Sequence, residues 1–521
     1  MSGTAGSVRH HCDGQDDMTR RADDAEKSET TDVEWGPGDQ QDEQAIIVRF
    51  EPGDKDNPYN WSTAKKMTIV FLTVLMTLNS TLSSSMPSGS ISFIAKDFNV
   101  TSNEELVLPI SIFLIGYIFG PLILGPLSEA YGRRPLLIYP FIVYLCFTLG
   151  TALAPNFPAL LVLRFFAGTA AAAPLAVVGG VYADLYSDPV TRGHVLALFA
   201  AGTTFGPTLS PIVSGFAAKI SWRWPFWISL IFGGATMIPV LFLPETFGPV
   251  LLAKRAAALR KKLNRDDILT PPEAVRPELK EMLTVTLIRP VKMFFYEPIV
   301  CVISLYMAFV YAILYLFFQA YPIIFKGVYG MAPGIDGLPY LPLGIGSVLA
   351  SVMVVMWDGY LHRKQAADLD YVLTPEFHRL TLANVGGPLM LISFFWLGWT
   401  ARESIHWIVP VLAGLPFGIG IGVVFIALLN YLADSYGIFT ASAMATAACL
   451  RSISGAVLPL AAKPMYARLG IGWATSLLGF IGLIMVAIPF VFAKYGERIR
   501  ASSPFCQMLK QKQREREDSS N

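Results

Sequence analysis

Twelve stretches of about 20 mostly apolar residues, joined by polar links, leave this chain few ways to fold. In lipid every backbone N–H and C=O must find a partner within the protein, so a single run of that length is stable as an α-helix and not as an open strand. The first six runs lie near residues 67–87, 107–127, 136–154, 160–184, 195–217 and 225–243. The second six lie near 299–321, 338–357, 380–400, 406–432, 440–462 and 472–492. Six runs, a long polar segment and six more predict an all-α integral membrane protein, its twelve transmembrane helices forming two pseudo-symmetric six-helix bundles. The expected divisions are a disordered cytoplasmic tail at 1–66, bundles at 67–243 and 299–493, a cytoplasmic central loop at 244–298 and a cytoplasmic tail at 494–521.

Composition agrees with lipid as the solvent. The chain is 53% hydrophobic and only 15% charged, with a mean hydropathy of +0.49, where soluble domains carry about a quarter of their residues as charges. A net charge of +1 gives no global field for nucleic acid or an acidic partner. Cys12, Cys146, Cys301, Cys449 and Cys506 contain no CxxC pair, so neither a disulfide framework nor a zinc site is expected. The polar first sixty or so residues lack a secretion-signal core, which makes the first span an uncleaved anchor.

Basic residues set the orientation. Arg133, Arg134, Arg192, the run Lys254 to Arg265, Arg363, Lys364 and the tail Lys494 to Arg516 fall on alternate joints, which places those joints and both termini in the cytoplasm. Within the central loop, Leu252, Ala256, Leu259 and Leu263 share one helical face and Lys254, Arg255, Lys261 and Lys262 another, the pattern of a helix lying on the inner leaflet. The sequon Asn99-Val100-Thr101 falls on an outward joint, making Asn99 a glycosylation candidate. Two internal echoes point to duplication. Ala183-Asp184-Leu185-Tyr186 closes the fourth span and Ala433-Asp434-Ser435-Tyr436 the tenth, while Glu129 with Arg133 and Arg134 is matched by Asp358 with Arg363 and Lys364.

Four local patterns carry mechanism. After the second span, Gly125-Pro126-Leu127-Ser128-Glu129-Ala130-Tyr131-Gly132-Arg133-Arg134 offers a glycine for close helix approach, a glycine for a tight turn, and an acid able to pair with arginines. Such a cluster can latch one conformation and release it in another. Arg164 lies in an otherwise apolar stretch, where insertion costs about 2.5–3.5 kcal/mol, so it should face a cavity or a partner. Twenty residues of helix, about 30 Å, separate it from Asp184, too far for direct pairing. Gly202, Gly206, Pro207 and Pro211 in the fifth span combine close helix contact with freed carbonyls, suited to a rocking interface. Arg451 sits mid-span in the eleventh helix, and with Asn79, Tyr311, Tyr315, Gln319 and Asn430 makes a candidate substrate cavity, aromatic and sparsely polar.

The loop from Gly125 to Arg134 resembles the signature of the major facilitator superfamily, and Gly202 to Pro211 is similar to the antiporter signature of drug exporters, with Ser210 where glycine is usual. The stretches Asp54 to Ser62, Pro244 to Phe247, Leu287 to Pro298, Pro375 to Leu380 and Arg451 to Leu460 narrow the resemblance to fungal twelve-span drug:proton antiporters, over roughly residues 50–500. The resemblance implies efflux of a drug, toxin, polyamine or secondary metabolite across the plasma membrane, driven by proton entry. It also implies that Arg164, followed by Gly168, takes part in proton coupling. No acid lies at the centre of a span, and Asp184 and Glu129 are the nearest proton carriers. The expected partners are a small-molecule substrate, protons and the bilayer, with no nucleic acid, obligate protein partner or cofactor. No Walker GxxxxGK[ST], HExxH or GxSxG occurs, which argues against ATP as the direct drive and against an enzyme. A nutrient or polyamine transporter is the alternative, although Pro244-Glu245-Thr246 differs from the Pro-Glu-Ser-Pro-Arg usual in sugar porters.

Overall fold

The computed structural model describes residues 46–264, 268–270, 279–365, 375–436, 439–503, 505 and 507–508. Residues from Ile47 onward form one unit, to which all that follows is confined. Most of the expected N-terminal tail, parts of the central loop and most of the C-terminal tail lie outside the described residues.

The spans are α1 (Thr63–Ser85), α2 (Leu108–Phe119, continued by Gly120–Leu124 and Gly125–Tyr131), α3 (Arg133–Ala152), α4 (Phe157–Leu185), α5 (Pro189–Ala217), α6 (Trp224–Val240), α7 (Pro298–Tyr321), α8 (Leu341–Gln365), α9 (Pro375–Thr400), α10 (Gly414–Tyr436), α11 (Thr440–Val457) and α12 (Ala462–Ser502). Among the described residues, ten continuous helical stretches are long and apolar enough to cross a membrane. The shorter Trp224–Val240 adds another, and the stretch Thr440–Gly496 contains two spans, α11 and most of α12, bringing the number to twelve. Gly470, at φ +71°, bends α12, a backbone angle open to glycine.

The helix contacts repeat six spans on. In the first half α1 packs on α5, α2 on α4, α3 on α4 and α3 on α6; in the second α7 packs on α11, α8 on α10, α9 on α10 and α9 on α12. Two of the contacts between halves, α2 with α11 and α5 with α8, are themselves related by the same offset. The Ala-Asp-x-Tyr echoes accordingly stand at the ends of corresponding helices, α4 and α10. Central and peripheral spans separate by burial: 78% of the apolar window is buried in α7 and in α10, against 39% in α3. On the outer helices Ile231, Ile238, Phe480 and Ile484 remain exposed, which is what lipid requires.

Two sequence expectations change. Asp358 does not follow the eighth helix but lies inside it, buried. The apolar face of the connector helix Gly248–Leu263 is not free for a leaflet, because Leu252, Ala256 and Leu259 pack against Val48. Arg255 pairs with Asp54 beside that contact. The Asp56 backbone N–H and the Arg255 guanidinium hold the Asp54 carboxyl below its ordinary value, so the clasp forms above the usual carboxylate range and loosens as pH falls through the lowered value.

Candidate functional site

At one end of the molecule the second span turns into the third through Gly132, at φ +99°. That angle favours glycine, and so does space: a Cβ there would come within 2.5 Å of Glu245 Oε2. Glu245, just beyond α6, is buried and receives four backbone N–H groups. Its Oε1 accepts from Arg133 (2.9 Å), Thr246 (3.0 Å) and Phe247 (3.0 Å), and its Oε2 from Arg134 (3.2 Å). The carboxylate thereby caps the N-terminus of α3, where unsatisfied N–H groups and the helix dipole favour an anion. The Arg133 side chain points the other way. Its Nε donates to Asp184 Oδ2 at 3.2 Å, its Nη1 donates to Ser128 Oγ at 2.6 Å, and its guanidinium lies over the Phe247 ring. Gly180 makes room for it, since a Cβ at that position would lie 2.6 Å from the guanidinium carbon.

This cluster ties α2, α3, α4 and the exit of α6 together, all within the first bundle. Its membership differs from the sequence reading. Glu129 is exposed and pairs with neither Arg133 nor Arg134; the acid that meets Arg133 is Asp184. Gly125 has open space where a Cβ would stand, so no neighbouring helix demands it. Arg134 is exposed and donates to the Leu241 carbonyl. Glu245 was visible only as part of the Pro244 to Phe247 stretch, and Ser128 and Gly180 carried no signal of their own.

Arg164 is fully buried, and its guanidinium turns inward instead of snorkelling. Its Nε donates to the Pro109 carbonyl (2.9 Å), Nη1 to that of Ser83 (2.9 Å) and Nη2 to that of Ser84 (2.8 Å), with Phe113 beneath the guanidinium at 4.2 Å. Ser83 and Ser84 belong to the last turn of α1, where the Ser83 carbonyl keeps only a long 3.4 Å bond from the Met86 N–H, so the arginine closes the negative end of that helix. Small residues bring α2 and α4 close enough for this. A Cβ on Gly168 would strike the Phe113 carbonyl, and one on Gly116 would meet the backbone of Phe165 and Thr169.

In α5 the two prolines divide their work. Pro211 has no N–H for the Pro207 carbonyl, and Ser85 Oγ of α1 donates to that carbonyl instead at 3.0 Å. Gly206 lets Thr81 of α1 approach, whereas Gly202 makes only ordinary contact with Val74. Ser210 is buried and donates to Met86 Sδ. On the far side of α5, the Pro211 carbonyl and Ile212 abut Gly337, and Gly215 abuts Gly334, so this helix meets both its own bundle and the other.

The bundles meet mainly through hydroxyls and small residues, with an exposed bond from Lys463 Nζ of α12 to Asn103 Oδ1 at 2.9 Å. Tyr315 of α7 lies 2.7 Å from Ser84 Oγ of α1, and Tyr311 donates to the Tyr315 hydroxyl at 3.4 Å. Ser84 Oγ itself donates to the Thr81 carbonyl, so the proton on the first of these bonds belongs to Tyr315. Ser111 donates to the Ala456 carbonyl and Ser351 to that of Ala197. Among the described residues, the ion pairs Arg133–Asp184 and Arg223–Asp97 stay within the first half, and Arg255–Asp54 joins the connector helix to the segment before α1. Hydrogen bonds between membrane helices average about 0.6 kcal/mol and reach about 1.7. Tyr315→Phe is thus expected to shift the balance between two arrangements of the bundles by about 1 kcal/mol, roughly fivefold, read from spin-label distances between α1 and α7. An unchanged distance distribution would show that the bond does not bias the arrangement.

Tyr311 and Tyr315 share a face of α7 with Gln319, and all three are buried. Arg451 lies between the rings of Tyr311 (5.0 Å) and Phe425 (5.1 Å). Asn79 does not join them. It accepts from the Tyr144 hydroxyl at 2.6 Å and donates to the Ser229 carbonyl, fastening α1 to α3 and α6. Asn430 is half-buried in α10. Asn99 is exposed and caps the helix Ile91–Phe98 in a left-handed conformation, which asparagine tolerates.

A sequence profile described as the Major Facilitator Superfamily matches residues 73–459. The MFS transporter prlG of a fungal species is 41% identical over 461 residues, covering 87% of this chain and 96% of that protein. The MFS-type efflux pump MFS2 of Trichophyton rubrum is 39% identical, covering 90% of this chain and 79% of that pump. Among solved structures, the proton:xylose symporter XylE of E. coli superposes with a TM-score of 0.61 at 19% identity, over 83% of this chain and 97% of its own, a likeness of fold.

Proposed function

The chain belongs to the Major Facilitator Superfamily, a family of multi-pass membrane transporters of small molecules, and from that membership we propose that it exports a hydrophobic or amphipathic compound from the cytoplasm by alternating access. Proton entry supplies the drive, the plasma membrane is the site, and both termini face the cytoplasm. The efflux direction draws on the names of its relatives, MFS2 among them.

The observation that carries this reading is the contrast between the two kinds of contact. Charges staple the first bundle internally, through Arg133, Asp184 and Glu245 at one end and Arg164 deeper in. Single hydroxyl bonds, glycine contacts and one exposed lysine–asparagine bond, Lys463 to Asn103, join the bundles to each other. Rigid halves with a weakly bonded seam can rock about a central site, since each seam bond costs only about 0.6–1.7 kcal/mol to exchange. Arg164, at the end of α1, and Asp184, in the latch, are the residues assigned to proton coupling. A proton crossing 100 mV releases about 2.3 kcal/mol, enough to exchange one or more such bonds per cycle.

The test is retention in yeast cells with and without the gene, using 2-naphthoate, methyl 2-naphthoate and 2-naphthylmethylamine as matched acid, neutral and base probes. Expression is expected to lower retention of at least one probe, and a protonophore should restore it. Equal retention of all three, or an effect indifferent to the protonophore, would overturn proton-driven export.

A further inference from the structure

Arg451 is 9% exposed, deep in α11, and its Nε is buried with no hydrogen-bond partner. The contacts the structure gives its guanidinium are the faces of Tyr311 and Phe425. Aromatic faces attract a cation by about 0.5–2 kcal/mol, well short of the several kcal/mol that removing an ion from water costs. Arg164, the other buried arginine near the seam, has three carbonyls and still no carboxylate. The hydroxyls of Ser84, Tyr315 and Tyr311 run from the one arginine towards the other. Gln319, farther along the same face of α7, also has a buried donor, Nε2, without a partner.

The buried carboxylates described here are engaged elsewhere. Asp184 meets Arg133, Glu245 caps α3, Glu297 accepts from Tyr436, Ser503 and the Phe505 N–H, and Asp358 of α8 lies beside Gly193 at the start of α5. The region between the two arginines therefore holds positive charge and surplus donors among aromatic rings, the inverse of what an organic cation would need. We infer that the cargo is an organic anion with an aromatic or otherwise flat apolar body, its carboxylate or equivalent acidic group received by Arg451 and its body lying against Tyr311 and Phe425. Arginine suits this part because its planar fork meets a carboxylate with two parallel bonds, which an ammonium cannot copy.

This inference rests on the export reading above, and the three naphthalene probes separate the two. Purified full-length protein in detergent is expected to bind 2-naphthoate at least tenfold more tightly than the methyl ester or the amine in equilibrium dialysis. Arg451→Gln should erase that preference, and Arg451→Lys should keep part of it. Naphthoate binding no tighter than that of the amine in the unaltered protein would overturn the inference, whether or not the variants fold. So would a tenfold preference that survives in Arg451→Gln. Lowered cellular retention confined to the ester or amine would sink the anion assignment and leave export standing, whereas unchanged retention of all three would sink export itself.

Discussion

Arg164→Ala is expected to abolish transport and to destabilise the protein by about 3 kcal/mol or more, since it strips donors from three buried carbonyls at about 1–3 kcal/mol each. The loss is structural and mechanistic together. Those carbonyls belong to α1 and α2, while the arginine is carried by α4, so three helices lose their common fastening. Arg164→Lys should recover less than about a tenth of the flux, because one ammonium cannot reach three carbonyls set around a planar fork. The measurements are proton-driven uptake into inside-out vesicles and thermal unfolding in detergent. Flux in Arg164→Ala vesicles within twofold of the unaltered protein would remove Arg164 from coupling and leave it as a packing residue.

Glu245→Ala is expected to have the second-largest effect, because four N–H groups lose one shared acceptor in a site that excludes most water. Leaving buried donors unpaired costs about 1–3 kcal/mol apiece, so a loss of about 3–5 kcal/mol follows even after partial rehydration. The start of α3 should fray, Arg133 should lose its alignment with Asp184, and the loop between α2 and α3 should become open to protease. Glu245→Gln retains one carbonyl oxygen as acceptor and sits between the two in unfolding temperature. Limited proteolysis and unfolding curves for the three proteins give the order directly. An alanine variant as protease-resistant as the parent would show that the cap is dispensable.

The two replacements bear on different parts of the transporter. Glu245 acts on a latch at one end, whereas Arg164 fixes the end of α1 next to the Ser84–Tyr315 bond that joins the bundles. Damage to Glu245 should loosen the first bundle internally. Damage to Arg164 should alter whether α1 and α7 can form their bond at all.

Much of the fold was legible because lipid imposes a coarse rule that needs only local composition. Twenty apolar residues make a span wherever they occur, so the twelve runs, the six-plus-six division and the matched ends of α4 and α10 could be read directly. Buried charges were legible for the same reason: Arg164 and Arg451 stand out because an ion in an apolar run demands a partner. Which partner it finds depends on residues distant in the chain. Arg133 meets Asp184, 51 positions on, and not Glu129, four before it, because α4 ends beside the turn while Glu129 points outward. Glu245 caps a helix that begins 112 positions earlier, a relation without periodicity or motif to reveal it. Asn79, a polar residue in a span, reads equally well as cavity lining or as a helix fastener, and the hydroxyl of Tyr144 decides for the second. Sequence by itself determined how many helices cross and where charge is expensive, since both follow from transfer free energies of short segments. Tertiary structure alone decided which donor meets which acceptor, since a hydrogen bond requires atoms within about 3 Å, and only packing brings distant segments that close.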